Sequence, residues 1–299
     1  MSACASPGPN HSQGWQAYRP RGCCRRGDGT AQRRGCVSPA HGDPVAVIAA
    51  VILSLAVVLP TARSALGQGV STPSPARPTP AEFCLIANEH LSLGAKLPRA
   101  AAGLRAGKLR IVAIGSSSTT GLWMLDPAKT YPQVLRRELS RLHPGITVSV
   151  INSGRVGDTI PGNLARFQRD VFAHRPDLVI WQLGTNDVAW GGHVDGLKAR
   201  LLQGIQALKA SGADVILMDL QFAPQVLRSA QHPQMEALIM EGARQERVGL
   251  FSRFALMRRA IEAGLPPGEL VAWDGLHNSA SGYECVGRAL ARAIDAAAQ

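Results

Sequence analysis

The chain has 299 residues, a length that fits one or two domains and can bury a sizeable core. Hydrophobic residues make up 45% of it and charged residues 18%, which excludes a wholly disordered chain. The net charge is +11, from 32 Lys and Arg against 21 Asp and Glu, but no RNP, zinc-finger or basic-helix pattern accompanies it. We therefore expect no nucleic-acid partner.

Residues 1–43 differ in composition from the rest of the chain. They are rich in Arg, Gly, Ser and Pro and show no hydrophobic period. They hold four of the six cysteines, namely Cys4, Cys23, Cys24 and Cys36. No second Cys pair or spaced His completes a metal knuckle. We predict a basic, disordered leader, and a misplaced translation start is the alternative.

Residues 44–67 contain an apolar stretch, residues 45–59, that only Ser54 interrupts. A helix of this length reaches about 22 Å, short of the ~30 Å hydrocarbon core of a bilayer. The length is typical of an export signal, and Ala65 and Gly67 fit the small positions before a cleavage site. We expect an exported protein, periplasmic or secreted. The alternative is an uncleaved segment that tethers the protein to the membrane through residues 45–59.

Residues 68–80 are predicted to form a linker, because prolines are frequent in this stretch. The folded domain then spans residues 81–299, and its only cysteines are Cys84 and Cys285. In an oxidising compartment these two residues can close a disulfide that joins the two ends of the domain. Two buried free thiols are the alternative.

Short apolar runs alternate with helical patterns throughout the predicted domain. The predicted strands are residues 109–114, 146–152, 178–183, 214–220 and 248–251. Runs that are apolar on both faces favour a parallel sheet covered by helices on both sides. The pattern predicts a doubly wound, flavodoxin-like α/β fold, a three-layer sandwich with a mostly parallel five-stranded sheet. In such a sheet the ligand binds beyond the carboxyl ends of the strands.

Polar segments follow three of these strands, and a fourth precedes the last helical pattern. The four segments are residues 115–121, 152–159, 184–187 and 274–277. Singly, each has a simple structural interpretation, such as a helix N-cap, an Asx turn or a solvated loop His. Together they supply a serine hydroxyl, backbone N–H groups, an Asn amide and an Asp–His pair. These are the groups that acyl transfer needs.

In this combination the sequence resembles the SGNH (GDSL-type) hydrolase superfamily over residues 109 to about 294. The matching blocks are Gly115-Ser116-Ser117 with Gly121, Gly157, Gly184-Thr185-Asn186-Asp187, and Asp274 with His277. One departure is Ser116, which stands where the family usually has Asp. That Asp is not the catalytic acid, so the departure concerns the geometry of the turn.

The resemblance implies a role for each polar group. Ser117 is the expected nucleophile, His277 the base, and Asp274 the acid that orients the imidazole. The expected oxyanion hole consists of the backbone N–H groups of Ser117 and Gly157 and the side-chain amide of Asn186.

Other residues near these blocks have less specific interpretations. We interpret Asp187 as a hydrogen-bonder of its own loop rather than the catalytic acid. Trp123 and Trp190 are candidates for substrate binding, with ordinary loop packing as the alternative. The remaining histidines are scattered, so we expect no metal and no cofactor.

The resemblance implies an exported carboxylic ester hydrolase, an esterase or lipase-like enzyme that acts on an ester substrate with water. Candidate substrates are the O-acetyl groups of carbohydrates and short or medium acyl esters. An acyltransferase that uses the same serine and a non-catalytic carbohydrate-binding relative are the alternatives. We expect a monomer.

Overall fold

A single parallel β-sheet organises the described part of the chain. The computed structural model describes residues 78–88, 92–190 and 193–299. The predicted leader, the apolar stretch at residues 45–59 and most of the predicted linker lie outside this part. No helix within the described ranges is both long enough and apolar enough to span a membrane.

The sheet has five strands in the order β2-β1-β3-β4-β5, and every neighbouring pair is parallel. The strands are β1 (Lys108–Gly115), β2 (Thr147–Gly154), β3 (Leu178–Gln182), β4 (Asp214–Met218) and β5 (Gly249–Phe251). All five predicted strands are present, with bounds that differ by one or two residues. The doubly wound α/β fold predicted from the sequence is confirmed.

Helices connect the strands and cover the sheet. The α-helices are α1 (Pro80–Asn88), α2 (Pro98–Arg105), α3 (Ser117–Thr120), α4 (Tyr131–Leu142), α5 (Ile160–Leu164), α6 (Phe167–Asp170), α7 (Thr185–Ala189), α8 (Leu197–Ala210), α9 (Pro224–Leu227), α10 (His232–Glu246), α11 (Arg253–Glu262) and α12 (Ala280–Ala297). Short 3₁₀ helices are Pro127–Lys129, Phe172–His174 and Pro267–Glu269.

The crossovers place these helices in two layers. Two connections run in opposite directions across the sheet, β1–α4–β2 and β3–α8–β4. Because crossovers between parallel strands are right-handed, α4 and α8 lie on opposite faces of the sheet. Helix α12 packs on α4, and α10 packs on α8. Every residue of β3 is buried between the layers, which explains why the strand is apolar up to its last residue, Gln182.

The order of the strands determines where a site can form. The connection that leaves β1 runs to β2 on one side, and the connection that leaves the adjacent strand β3 runs to β4 on the other side. The register of β1 with β2 pairs Gly115 with Gly154, so both strands end side by side. Polar segments that follow β1, β2 and β3 therefore meet at one edge, at the switch point of the sheet.

Cys84 of α1 and Cys285 of α12 are bonded through their sulfur atoms. Their Cα atoms are 5.4 Å apart, within the usual range for a disulfide. Both residues are fully buried. The bond joins the first helix of the described domain to its last.

Candidate active site

Ser117 is the first residue of the short helix α3, directly after the turn that ends β1. Ser116 is the N-cap of this helix and has an extended backbone. The N–H groups at the start of a helix have no partner inside it, so the N–H of Ser117 is available to a ligand at this position. The Ser117 side chain is buried, and its Oγ lies 2.7 Å from Nε2 of His277.

His277 and Asp274 lie in the loop that precedes α12. The Oδ1 atom of Asp274 accepts hydrogen bonds from the backbone nitrogens of Leu276 and His277, each at 3.0 Å. Its Oδ2 atom lies 2.5 Å from Nδ1 of His277. Gly275 has a φ of +69°, a conformation that favours glycine and that lets the loop turn back within three residues. The structure therefore brings Ser117, His277 and Asp274 into one hydrogen-bonded line.

The environment of Asp274 favours its ionised form. Burial acts to raise the pKa of this carboxyl, but hydrogen bonds from His277, from the Leu276 backbone and from the Trp123 indole outweigh it. Together they hold the pKa of Asp274 below its usual range. An ionised carboxylate at this position stabilises positive charge on the neighbouring imidazole.

Gly157 and Asn186 lie at the ends of the two neighbouring strands. Gly157 follows β2 in an exposed turn with a φ of +78°. Asn186 is in α7, directly after β3, and its Nδ2 donates to the carbonyl oxygen of Asp158 at 2.9 Å. This bond uses one of the two N–H groups of the amide and places Asn186 beside the Gly157 turn. Trp190 Nε1 donates to the Asn186 side-chain oxygen at 3.3 Å, which fixes the orientation of the amide.

A model of the non-GDSL lipase-like family matches residues 83–299. The chain belongs to the non-GDSL lipase-like family. The match confirms the resemblance to SGNH hydrolases predicted from the four blocks.

Individual relatives of this non-GDSL lipase-like protein are esterases by name. It is 33% identical to the arylesterase of Vibrio mimicus over 115 residues, which cover 38% of this chain and 56% of that protein. It is 26% identical to the acetylxylan esterase of Geobacillus stearothermophilus over 172 residues, 52% of this chain and 76% of that protein. The match to the Vibrio protein therefore spans little more than half of its length.

Solved structures show the same fold. The crystal structure of Axe2, an acetylxylan esterase from Geobacillus stearothermophilus, aligns with a TM-score of 0.54 at 23% identity. The alignment covers 62% of this chain and 94% of the Axe2 chain.

Ser116, the departure from the GDSL pattern, has a defined partner in this family member. Oε1 of Gln182 accepts from the Ser116 nitrogen at 2.8 Å, from the Ser116 hydroxyl at 2.9 Å and from the Thr119 hydroxyl at 3.1 Å. A Cβ atom on Gly115 would overlap Thr119 Oγ1, so only glycine fits the approach of the turn to Gln182. A neutral amide from β3 thus holds the turn that presents Ser117.

Arg166 is a positioning residue that the sequence pattern does not reveal. Its buried guanidinium donates to the carbonyl oxygens of Gly115 at 2.9 Å and Ser153 at 2.7 Å, and to the carboxylate of Asp158 at 2.6 Å. It therefore links the ends of β1 and β2 to the residue that follows Gly157. Arginine is rarely fully buried, so a sequence pattern assigns it to the surface by default. The sequence therefore gives no sign that Arg166 lies inside the protein.

Asp187 of α7 bonds to the backbone at the start of α5 and is not part of the Ser117–His277–Asp274 line. Its carboxylate accepts from the Ile160 backbone nitrogen at 3.1 and 3.3 Å, which ties α7 to the start of α5. Burial raises the pKa of Asp187 to about 6, against the hydrogen bond from Ile160, which lowers it. This contact agrees with the structural role expected from the sequence.

Proposed function

We propose that this chain is a serine hydrolase that cleaves carboxylic esters, with Ser117 as nucleophile, His277 as base and Asp274 as the orienting acid. The observation that carries the proposal is the pair of short contacts, 2.7 Å from Ser117 Oγ to His277 Nε2 and 2.5 Å from His277 Nδ1 to Asp274 Oδ2. An isolated serine hydroxyl is a weak nucleophile, and this arrangement provides the base that activates it.

In the proposed mechanism, Ser117 Oγ attacks the ester carbonyl carbon while His277 Nε2 takes the hydroxyl proton. Asp274 stabilises the imidazolium that forms. The negative charge on the carbonyl oxygen is stabilised by the N–H groups of Ser117 and Gly157 and by the Asn186 amide. His277 then returns its proton to the departing alcohol oxygen, which leaves an acyl ester on Ser117.

The second half of the reaction uses water in the same way. His277 takes a proton from water as the water oxygen attacks the acyl carbon. Collapse of this intermediate releases the carboxylic acid, and the proton returns to Ser117 Oγ. No further reactant is needed to balance the two steps.

We propose short acyl esters, with O-acetyl groups of carbohydrates as the leading class of substrate. Trp123 and Trp273 are 47% and 67% exposed, and their ring centroids lie 5.1 Å apart beside His277. Trp190, also 67% exposed, lies beside Asn186. Exposed indoles offer flat apolar faces to a substrate and keep a polar N–H. The similarity to an acetylxylan esterase supports the same class.

We further propose that the protein is exported, as expected from residues 44–67. The bonded pair Cys84 and Cys285 supports an oxidising compartment. Fractionation of producing cells, with the mass of the mature chain, tests this location. A full-length cytoplasmic protein with both thiols free would contradict it.

The central test is ester hydrolysis by the full chain with p-nitrophenyl acetate and with an acetylated xylo-oligosaccharide. Ser117→Ala is expected to lower kcat by on the order of 10⁴-fold or more. Ser118→Ala, the next residue of the same helix, is the matched control and should keep most of the wild-type rate. A Ser117→Ala protein with wild-type activity would overturn the proposal.

A second pair of variants distinguishes the two carboxylates. Asp274→Asn is expected to lower kcat by about 10⁴-fold, because the imidazole loses its orienting acid. Asp187→Asn can still accept from Ile160 and should retain most of the activity. The reverse result would make Asp187 the catalytic acid.

A further inference from the structure

Trp123 has an unusual backbone conformation for its residue type. It lies three residues after α3 and has a φ of +72°, in the left-handed region that bulky side chains rarely adopt. Holding such a residue there costs free energy, and strain of this kind collects at functional sites. Surrounding contacts must therefore hold the indole in place.

The main polar contact of Trp123 is with the proposed catalytic acid. Its Nε1 donates to Asp274 Oδ2 at 2.8 Å, and the same oxygen accepts from His277 Nδ1. The indole also contacts the His277 ring edge-on at a centroid distance of 6.4 Å, and packs on Trp273. One side chain thus touches both members of the Asp274–His277 pair.

We propose that Trp123 is a positioning residue that holds Asp274 through its indole N–H, an inference that rests on the proposed function. A hydrogen bond to a carboxylate is stronger than one between neutral groups and fixes the direction of the acceptor. The backbone N–H groups of Leu276 and His277 hold Oδ1, and the indole holds Oδ2, so both oxygens of Asp274 are fixed. The left-handed backbone is what brings the indole into reach of this oxygen.

The first test is Trp123→Phe, which keeps an aromatic ring and the same backbone demand but removes the N–H donor. We expect kcat to fall about tenfold with little change in KM, because a small displacement of Asp274 misaligns His277. The hydrogen bond from Trp123 helps to lower the pKa of Asp274, so its loss should raise that pKa. The acidic limb of the profile of kcat/KM against pH should therefore move to higher pH. The other titratable groups that interact with Asp274 are His277 and, through charge, Tyr283.

Trp273→Phe is the matched control, because it alters the exposed aromatic surface and leaves the indole bond to Asp274 intact. It can change KM, but its pH profile should follow the wild type. Melting temperatures of both variants show whether either fold is disturbed. A Trp123→Phe protein with wild-type kcat and an unmoved acidic limb would overturn the inference.

A double-mutant cycle tests whether Trp123 acts through Asp274. In an Asp274→Ala background the Trp123→Phe change should have no further effect on kcat, whereas independent residues would give additive losses. The labelling rate of Ser117 by a fluorophosphonate gives a second readout that does not depend on substrate binding. It should fall in parallel with kcat, and additive losses in either readout would contradict the proposal.

Failure of this inference differs from failure of the proposed function. If wild-type protein hydrolyses the esters and Ser117→Ala does not, the function stands whatever Trp123→Phe shows. If Ser117→Ala remains active, the function itself is wrong.

Discussion

Asn152 of β2 donates its side-chain amide to the carbonyl oxygen of Thr119 at 2.8 Å. Its side-chain oxygen accepts from the Gly154 nitrogen at 3.0 Å. The last carbonyl groups of a helix have no partner within it, so Asn152 satisfies one at the end of α3. The helix that begins with Ser117 is thus held by Gln182 at its start and by Asn152 at its end.

Asn152→Ala is expected to lower kcat about three- to tenfold, because a small displacement of α3 moves Ser117 from His277. The loss of the bond should reduce the free energy of unfolding by about 1 kcal/mol. Steady-state kinetics and urea denaturation measure the two effects. Ser149→Ala in the same strand is the control, and an equal effect there would remove the special role of Asn152.

Asn186→Ala should lower kcat about 100- to 1000-fold, or about 3–4 kcal/mol of transition-state stabilisation, with little change in KM. Asn186→Asp should lose as much, since it keeps the size but has no N–H donor. Kinetics with p-nitrophenyl acetate and a thermal melt test both variants. Unchanged turnover in a folded Asn186→Ala protein would exclude the amide from the oxyanion hole.

Two glycines offer a contrast between steric and conformational costs. A Cβ on Gly154 would overlap the backbone nitrogen of Thr120, so Gly154→Ala should destabilise by about 3 kcal/mol and displace α3. Gly145 has a φ of +87° with open space around it, so Gly145→Ala should cost about 1–2 kcal/mol with kcat unchanged. Urea denaturation measures the stability of each variant, and steady-state kinetics measure its activity. A fully active Gly154→Ala protein would contradict the close packing of Gly154 against Thr120.

Asp187 should make stability depend on pH. Burial raises its folded pKa to about 6 from a usual value of 3.8, so between these values the folded state binds more protons than the unfolded state. Its contribution to the free energy of unfolding is therefore full below about pH 4 and is lost as pH rises to about 6, by on the order of 3 kcal/mol at most.

Asp187→Asn removes this titration, so the variant should lose less stability than the wild type between pH 4 and 6. Burial also raises the pKa of Asp219 to about 6 and that of Glu236 to about 7. These two groups account for the pH dependence of the free energy of unfolding that remains in the variant. Urea denaturation at several pH values measures it. Asp195 is exposed, so Asp195→Asn is the control. If the free energy of unfolding of Asp187→Asn changed with pH as much as that of the wild type, the prediction would be wrong.

Loss of the disulfide should lower stability without altering the reacting groups. Cys84 and Cys285 are separated by 201 residues in sequence. The double variant Cys84→Ala/Cys285→Ala should unfold with about 2–4 kcal/mol less free energy than the oxidised wild type. Reductant should bring the wild type to the level of the variant and leave the variant itself unaffected. A wild type that is insensitive to reductant would argue against the bond.

The sheet could be predicted because its signals are local. The run Leu178–Leu183 is mostly apolar on both faces and is followed by the polar tetrapeptide of residues 184–187, which marks both a buried strand and its carboxyl end. Three polar segments that follow strands, with a fourth before the last helix, then predict which side chains converge. The distances among Ser117, His277 and Asp274 agree with that expectation.

Contacts between residues far apart in sequence could not be predicted. Trp123 and Asp274 are 151 residues apart, and neither neighbourhood indicates a partner for the indole N–H. Arg166 lies in the turn between α5 and α6, and the fully buried Arg253 begins α11. Patterning alone would place both arginines in solvent. Such residues are recognised only when the elements they join are assembled.

The described tryptophans differ sharply in their surroundings. Trp181 is fully buried in β3, whereas Trp123, Trp190 and Trp273 are open to solvent next to the groups that would meet a substrate. Indole emission is sensitive to surrounding water, so a ligand that covers these rings changes the intrinsic fluorescence of the protein. The Ser117→Ala protein, which should bind esters without consuming them, can therefore be titrated with intact substrates and needs no added dye.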